Sequence, residues 1–370
     1  MNSDVLRRKI EEVFESYENL TQSNDKQKLR ASHIEAKFTV DAKQLENILK
    51  EYHQYKRLFA EPSSIKLNKI SPVLVNVNEG KLWKILFKIV RGTWSMPLNK
   101  GYGRRLRYVV YDEYHDSVIG IIGLQSPPAD LSSRDSLFNY PEGKKLDLVN
   151  QTMDIYSLGS IPPYSGLLGG KLVAGLAGSK TIIEDYRKKY SGKETLIAHK
   201  LLDNSLVALT TTSAYGRSSI YNRLKFNDRL IAEPIGFTKG FGNLHLESVY
   251  PDMVELLKDN NIFHVGGYGN GPKQRWQNIA RALKILNLSK KYSRHGVLRE
   301  VFLYRLRSDL ESGMSGGDFG TINAHDEKAF SSYWLDRWAI PRSHRAEEWQ
   351  NISTDAYIIQ ALGKNPNLSL

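Results

Sequence analysis

Apolar positions recur at helical spacing through the first sixty residues and then give way to short runs separated by turn residues. The spacing predicts two N-terminal helices, Val5 to Leu20 and Asp41 to Phe59. Asp41 is placed to cap the second, ahead of Leu45, Ile48, Leu49 and Tyr52. The polar stretch between them, TQSNDKQKLRASHIEAK, predicts a loop. From Ile70 the pattern turns α/β. ISPVLVNV predicts a strand, and EGKLWKILFKIV a helix with Leu82, Ile85, Leu86 and Ile89 on one face. LRYVVYD and SVIGIIGL predict a hairpin across EYHD. TMDIYSLGSI predicts a strand, GLLGGKLVAGLAGSKTIIEDYRKKY one long helix opened by glycines, and LVALTTTS another strand. RSSIYNRLKF predicts a short helix with Ile220, Leu224 and Phe226 inward. Further on, SRHGVLREVFLYRL predicts a turn and a strand, and ESGMSGGDFGT a flexible loop. The tail WLDRWAIPRSHRAEEW is aromatic and basic, and is expected to dock on the body or on a partner. The expected organisation is a helical N-terminal module (1–62), an α/β core (63–245) and a basic C-terminal region (246–370).

Charge narrows the class of partner. The chain of 370 residues carries 52 Lys+Arg against 40 Asp+Glu, a formal net charge of +12. The excess is clustered. Between Tyr268 and Arg307 lie Lys273, Arg275, Arg281, Lys284, Lys290, Lys291, Arg294, Arg299, Arg305 and Arg307, with Glu300 the one acid and Trp276, Tyr292 and Tyr304 interleaved. A face so lacking in acids repels itself unless an anion covers it, which points to nucleic acid, DNA or RNA. The bland alternative is a solvated helix face over core aromatics. Gly266 to Pro272 adds a glycine-rich turn whose backbone N–H groups would sit beside Lys273 and Arg275. With no cysteine, disulfides, thiol catalysis and cysteine-based zinc sites are excluded. No apolar run approaches the ~20 residues of a membrane span. MNSDVLRRKIEEVF has no signal-peptide core, so a cytoplasmic location without membrane attachment is expected.

The densest chemistry lies from Leu209 to Gly242, where hydroxyls, glycines and cations crowd together. Arg217, Ser218, Ser219, Tyr221, Asn222 and Arg223 are expected to line one concave surface suited to phosphate, since arginine forks match phosphate oxygens. All of these but Tyr221, with Lys273, Arg275, Arg281, Lys284, Arg294 and Arg299, form the candidate nucleic-acid-binding set. Other constellations are thin. The histidines have no metal-ligand spacing. Asp130, Glu142 and Lys144 lie in loops, and Arg134-Asp135 reads as an ion pair orienting its loop.

TSAYGRSSIYNRLK, GFTKGFG, GNGPKQRWQNIARALKILNL and SRHGVLREVFLY follow LRYVV, IGIIGL, SSRD and GLLGGKLVAGLA in order. In these motifs the chain, from about Arg104 to Leu310, resembles the DruA family of the Druantia anti-phage defence system. The resemblance implies a bacterial defence role and other defence subunits as partners. It supplies no reaction. The order of elements is also similar to the GNAT acyltransferase fold. That implies an α/β (α+β) class with a GNAT-like mixed central sheet and flanking helices. In that fold a glycine-rich turn after the fourth strand cradles the pyrophosphate of acyl-coenzyme A at a helix N-terminus. The corresponding residues are Gly166, Gly169 and Gly170, with Lys171 just inside the helix. The turn departs from that pattern, with Tyr164 where a cation stands and Leu167 where a glycine stands. A glycine-opened helix packed closely on a strand is the alternative. Tyr221 falls where the same fold carries a tyrosine that protonates a leaving thiolate; the alternative is a half-buried packing tyrosine. Three readings stay open: a nucleic-acid-binding defence component, an acyl-coenzyme-A-dependent transferase acting on a macromolecule, and a structural adaptor.

Overall fold

The structure, a computed structural model, describes residues 3–22, 25–195, 199–201, 203, 205–240, 242, 244–265 and 274–363. Two helices open the chain, α1 (Ser3–Gln22) and α2 (Lys26–Tyr55). The second starts well before the predicted Asp41. Asp25 caps it by accepting the N–H groups of Gln27 (2.9 Å) and Lys28 (3.1 Å). Asp41 lies inside α2, where its carboxylate accepts the Leu98 N–H at 2.7 Å. The stretch predicted as a loop is helical, and it looks polar in sequence because its buried face is itself partly polar. Leu29, His33 and Lys37 recur every fourth residue, and all three are buried. Lys37 Nζ donates to the carbonyls of Gly92 and Ala361 (2.7 Å each).

The sheet is assembled from β1 (Pro72–Asn76), β2 (Arg105–Asp112), β3 (Ser117–Gln125), β4 (Thr152–Ser160) and β5 (Ala208–Thr212). After β1 comes α3 (Lys81–Gly92), and between β3 and β4 the short α4 (Ser132–Asp135) and α5 (Lys145–Val149). The predicted long helix after β4 divides into α6 (Gly169–Leu176) and α7 (Lys180–Tyr190), with Gly178 and Ser179 at the break. A Cβ on Gly178 would lie 3.2 Å from the His325 ring, so the chain passes close to the C-terminal region there. All but two residues of α6 are buried, consistent with its apolar sequence.

Beyond β5 the predicted helix at 217–226 does not form. Asn222 N–H reaches Ser218 O (3.2 Å) and Leu224 N–H reaches Tyr221 O (3.1 Å), and nothing propagates. Ser218 Oγ instead accepts the Ile220 N–H, the local competition by which serine disfavours helix interiors. Arg223 takes a positive φ of 57°. A tight hairpin follows, β6 (Lys225–Phe226) and β7 (Arg229–Leu230), turned by Asn227 and Asp228, both at positive φ as a type I′ turn requires.

The remaining elements are β8 (Glu233–Phe237), α8 (Tyr250–Asp259), α9 (Gln274–Ile285), β9 (Glu300–Arg305), α10 (Leu310–Met314), α11 (Glu327–Trp334), α12 (Ile340–Arg345) and α13 (Thr354–Leu362). α10 occupies the start of the stretch predicted as a flexible loop. The seven-stranded mixed sheet has the order β1-β2-β3-β4-β5-β9-β8. β4 and β5 run parallel, and the other neighbouring pairs antiparallel. β9, from the region set apart as C-terminal, lies between β5 and β8, so a boundary at 245/246 cuts through the sheet.

Both faces of β2 and β3 are covered. Tyr108, Val110, Ile119 and Ile122 pack with α6 and α7, while Val109, Tyr111, Val118 and Ile121 pack with α2, α3 and α13. This is why their sequences are nearly continuous in apolar residues. α1 buries Leu6 and Ile10 against α8 and α9. The aromatic tail packs on the body, where Phe330 and Trp334 of α11 join the core beside α6 and the Trp334 indole N–H donates to Leu168 O (3.1 Å). Among the described residues no helix is long and apolar enough to cross a membrane.

Candidate functional site

The irregular segment after β5 is pinned at three places. Leu224 and the Tyr221 ring are buried in the main core, the ring 4.9 Å from Phe302. Lys171, in the first turn of α6, donates to Asn222 O (2.8 Å) and more weakly to Ile220 O (3.4 Å). At the segment's start Tyr215 Oη meets His33 Nδ1 (3.1 Å) and Ser95 Oγ (2.5 Å), and His33 Nε2 meets Tyr17 Oη (2.9 Å). This chain ties α1 and α2 to the segment, and Lys26 adds a bond to Arg217 O (3.2 Å).

Residues between the pins turn outward. Arg217, Ser219, Asn222, Arg223 and Lys225 form one wall of a cleft of about 1000 Å³. Tyr333, Arg337 and Trp338 form the facing wall, and Asp228 and Lys171 complete the lining. Arg337 and Trp338 belong to a π-helical turn, Leu335–Ala339, that continues α11. Such turns are uncommon and frequent at functional sites. The left-handed Arg223 on the facing wall is a second sparsely populated conformation at the same place.

The lining carries five cations and one carboxylate. Among the described residues none of Arg217, Arg223, Lys225 or Arg337 is held in an ion pair. Lys171 is already bound to two carbonyls, lies over the Trp338 ring at 5.6 Å, and has its pKa lowered by burial. Its role is to hold the segment down. The other four are available to an anion, and their mutual repulsion in a concave site raises the local positive potential.

The family model described as "Druantia protein DruA" matches residues 23–316. The Druantia protein DruA of Escherichia coli (strain UMEA 4076-1) is 36% identical over 301 residues, covering 80% of this chain and 74% of the relative. The chain belongs to the DruA family. No solved structure matches it. In this DruA-family chain the matched span carries the 217–225 wall and Lys171, while Tyr333, Arg337 and Trp338 lie beyond it.

Of the six residues expected on one concave surface, Arg217, Ser219, Asn222 and Arg223 line the cleft, and Ser218 and Tyr221 do not. Tyr221 is buried, its hydroxyl 3.4 Å from Thr211 Oγ1, and burial pushes its pKa up to about 12. It is a packing tyrosine here, turned away from the cleft. The glycine turn is close-packed. A Cβ on Gly166 would fall 2.6 Å from Trp349 Cβ, one on Gly169 2.6 Å from Tyr164 O, and one on Gly170 3.3 Å from Ile220 Cγ1. Tyr164, in the place of the expected cation, is buried and donates to Asp112 Oδ2 (2.9 Å).

Among the described residues, the basic run from 274 to 307 is divided between α9, the turn after it and β9. Lys273 and the Gly266 to Pro272 turn lie outside the described residues. Arg275 pairs with Glu247 and lies 4.1 Å over the Tyr250 ring. Arg281 donates to Asn278 Oδ1 (3.2 Å), while Lys284 and Arg294 are exposed. Arg299 is half-buried, its pKa lowered by burial, close to the Tyr17 and Tyr215 hydroxyls. Arg305 pairs with Glu233 (2.7 Å) and Glu311. Acids outside the run thus pair with two of its arginines, Arg275 and Arg305. Arg134 is buried, bonded to Asp135 and to the carbonyls of Pro128 and Ala129, an ion pair that shapes its loop. Asp130 pairs with Lys145 (2.7 Å).

Sequence reasoning missed Lys225, Asp228, Tyr333, Arg337 and Trp338 as site residues. The aromatic-basic tail was the available signal, but no local pattern shows which face of the body it meets.

Proposed function

We propose that this protein serves anti-phage defence by binding nucleic acid through the cleft between the 217–225 segment and the π turn. DruA is a component of the Druantia anti-phage defence system. The observation that carries the molecular reading is the convergence of Arg217, Arg223, Lys225 and Arg337 without ion-pair partners among the described residues. Unpaired guanidinium forks facing one another suit phosphate oxygens bidentately. Every cation that neutralises a phosphate releases counterions. A titration of wild-type affinity against salt should therefore give a log–log slope of about −2.8 to −3.6 if all four engage, at about −0.7 to −0.9 per contact. Affinity that is flat across salt would contradict phosphate binding.

For the core we infer a GNAT-like plan. It is supported by the parallel β4–β5 pair and by a glycine-opened helix following β4. Acyl-coenzyme A as a cofactor has less support, because the glycines face Trp349, Tyr164 and Ile220 at packing distance. A structural adaptor, contacting other defence subunits without nucleic acid, is the reading that remains if neither ligand binds.

A further inference from the structure

The cleft carries more than a phosphate-tracking surface requires. Tyr333 and Trp338 stand edge-to-face, ring centroids 5.4 Å apart, at the same concavity as the unpaired cations. Phe226 packs against Tyr333 at 5.3 Å, and Lys171 lies over Trp338 at 5.6 Å. The two rings are half-buried and held, so a flat ligand meets a preformed shelf with little rotamer freedom left to lose. The Asn222 amide and the Ser219 hydroxyl line the same space, and neither side chain bonds another group among the described residues.

Resting on the nucleic-acid reading above, we infer that the cleft accepts an unpaired nucleotide of a single strand. Its base would lie against the Tyr333–Trp338 shelf and its flanking phosphates on Arg217, Arg223 and Arg337. Three considerations favour this over a duplex. The volume of about 1000 Å³ is at the upper end of the ~300–1,000 Å³ of sites that enclose small organic molecules. A duplex is too wide to enter, and meets such a cleft only with its phosphates. Bases in a duplex are stacked on one another, so they cannot use an aromatic shelf, whereas unpaired bases stack on aromatic side chains in most single-strand sites. Finally, an amide with a free donor and a free acceptor matches the edge of an unpaired base. A phosphate needs only donors.

The test compares matched single-stranded and duplex oligonucleotides at one salt concentration, with 2-aminopurine placed within the strand. The single strand should bind roughly ten-fold tighter or more, and 2-aminopurine emission should be quenched on binding. Trp338→Leu should weaken the single strand roughly ten-fold while leaving the duplex nearly unchanged. Tyr333→Leu, with a thermal melt for each variant, guards against a folding defect in the first. Equal affinity for both forms, or equal loss for both in a folded Trp338→Leu, overturns the single-strand inference and leaves phosphate binding intact. Free adenine nucleotides competing as well as the strand would overturn it in favour of a small-molecule site. Binding of neither form overturns both readings.

Discussion

Arg217→Glu combined with Arg223→Glu is expected to weaken nucleic-acid binding about a hundred-fold or more and to abolish protection from phage, with the fold unchanged. Both side chains are exposed, and among the described residues neither forms an ion pair. Their reversal therefore removes no internal contact. A hydrogen bond to a charged group contributes about 1.5–3 kcal/mol, so losing two costs about 3–6 kcal/mol before repulsion is counted. The slope of affinity against salt should flatten by roughly two contacts. The control is Arg275→Glu, which sets a carboxylate against Glu247 and lifts a cation from Tyr250. That change should lower the melting temperature and act on binding only through the fold. Lys284→Glu, exposed on α9, should do little. Anisotropy and a plaque assay on the same variants separate the cleft from the α9 face. If Lys284→Glu is the damaging change and the double reversal is silent, the site has been assigned to the wrong surface.

Stability is expected to fall steeply as pH drops from 7 toward 4, and the cleft should lose its ligand over the same range. Two buried histidines brace its walls. His33, bonded to Tyr17 and Tyr215, has its pKa pushed to about 3, chiefly by burial and then by Arg299 and His295. His325 donates from Nε2 to Gly175 O (2.8 Å), and burial takes its pKa to about 4. In the unfolded chain a histidine takes its proton near 6.5. Between that value and the folded ones the unfolded state binds more protons, so stability is complete above about 6.5 and declines with acidification. Each histidine contributes about 1.4 kcal/mol per pH unit across its window. Asp135 and Asp355, whose pKa values are lowered in the fold, add losses of the same sign only below their usual value near 4. Urea midpoints measured at pH 7 and at about pH 4.5 should differ strongly in the parent protein. The difference should be smaller in each of His33→Gln and His325→Gln, and smallest in the double variant. Equal pH dependence in parent and variants would show that these histidines are not held neutral.

The strands were legible because β2, β3 and β4 are covered on their core positions and show it as apolar runs. So was α3, whose apolar face is continuous. The first half of α2 was not, because His33 and Lys37 occupy its buried face and satisfy their polar atoms with tertiary partners. The 217–226 helix failed for a different reason. Ser218 and Lys171 bond to the backbone there, and Arg223 enters a conformation that spacing cannot signal. The cleft was half legible. Arg217, Ser219, Asn222 and Arg223 stood out by composition, but the opposing Tyr333, Arg337 and Trp338 arrive from over a hundred residues away. The same limit hid partners of the basic run, since Glu247 and Glu233 reach Arg275 and Arg305 only in the folded chain.

The most direct measurement is ultraviolet cross-linking of the wild-type protein to saturating nucleic acid, with the linked peptides identified by mass spectrometry. Links are expected in the peptides that carry Arg217 to Lys225 and Tyr333 to Trp338. Links confined to α9 or to any other surface, or none when binding is saturated, would contradict binding in the cleft.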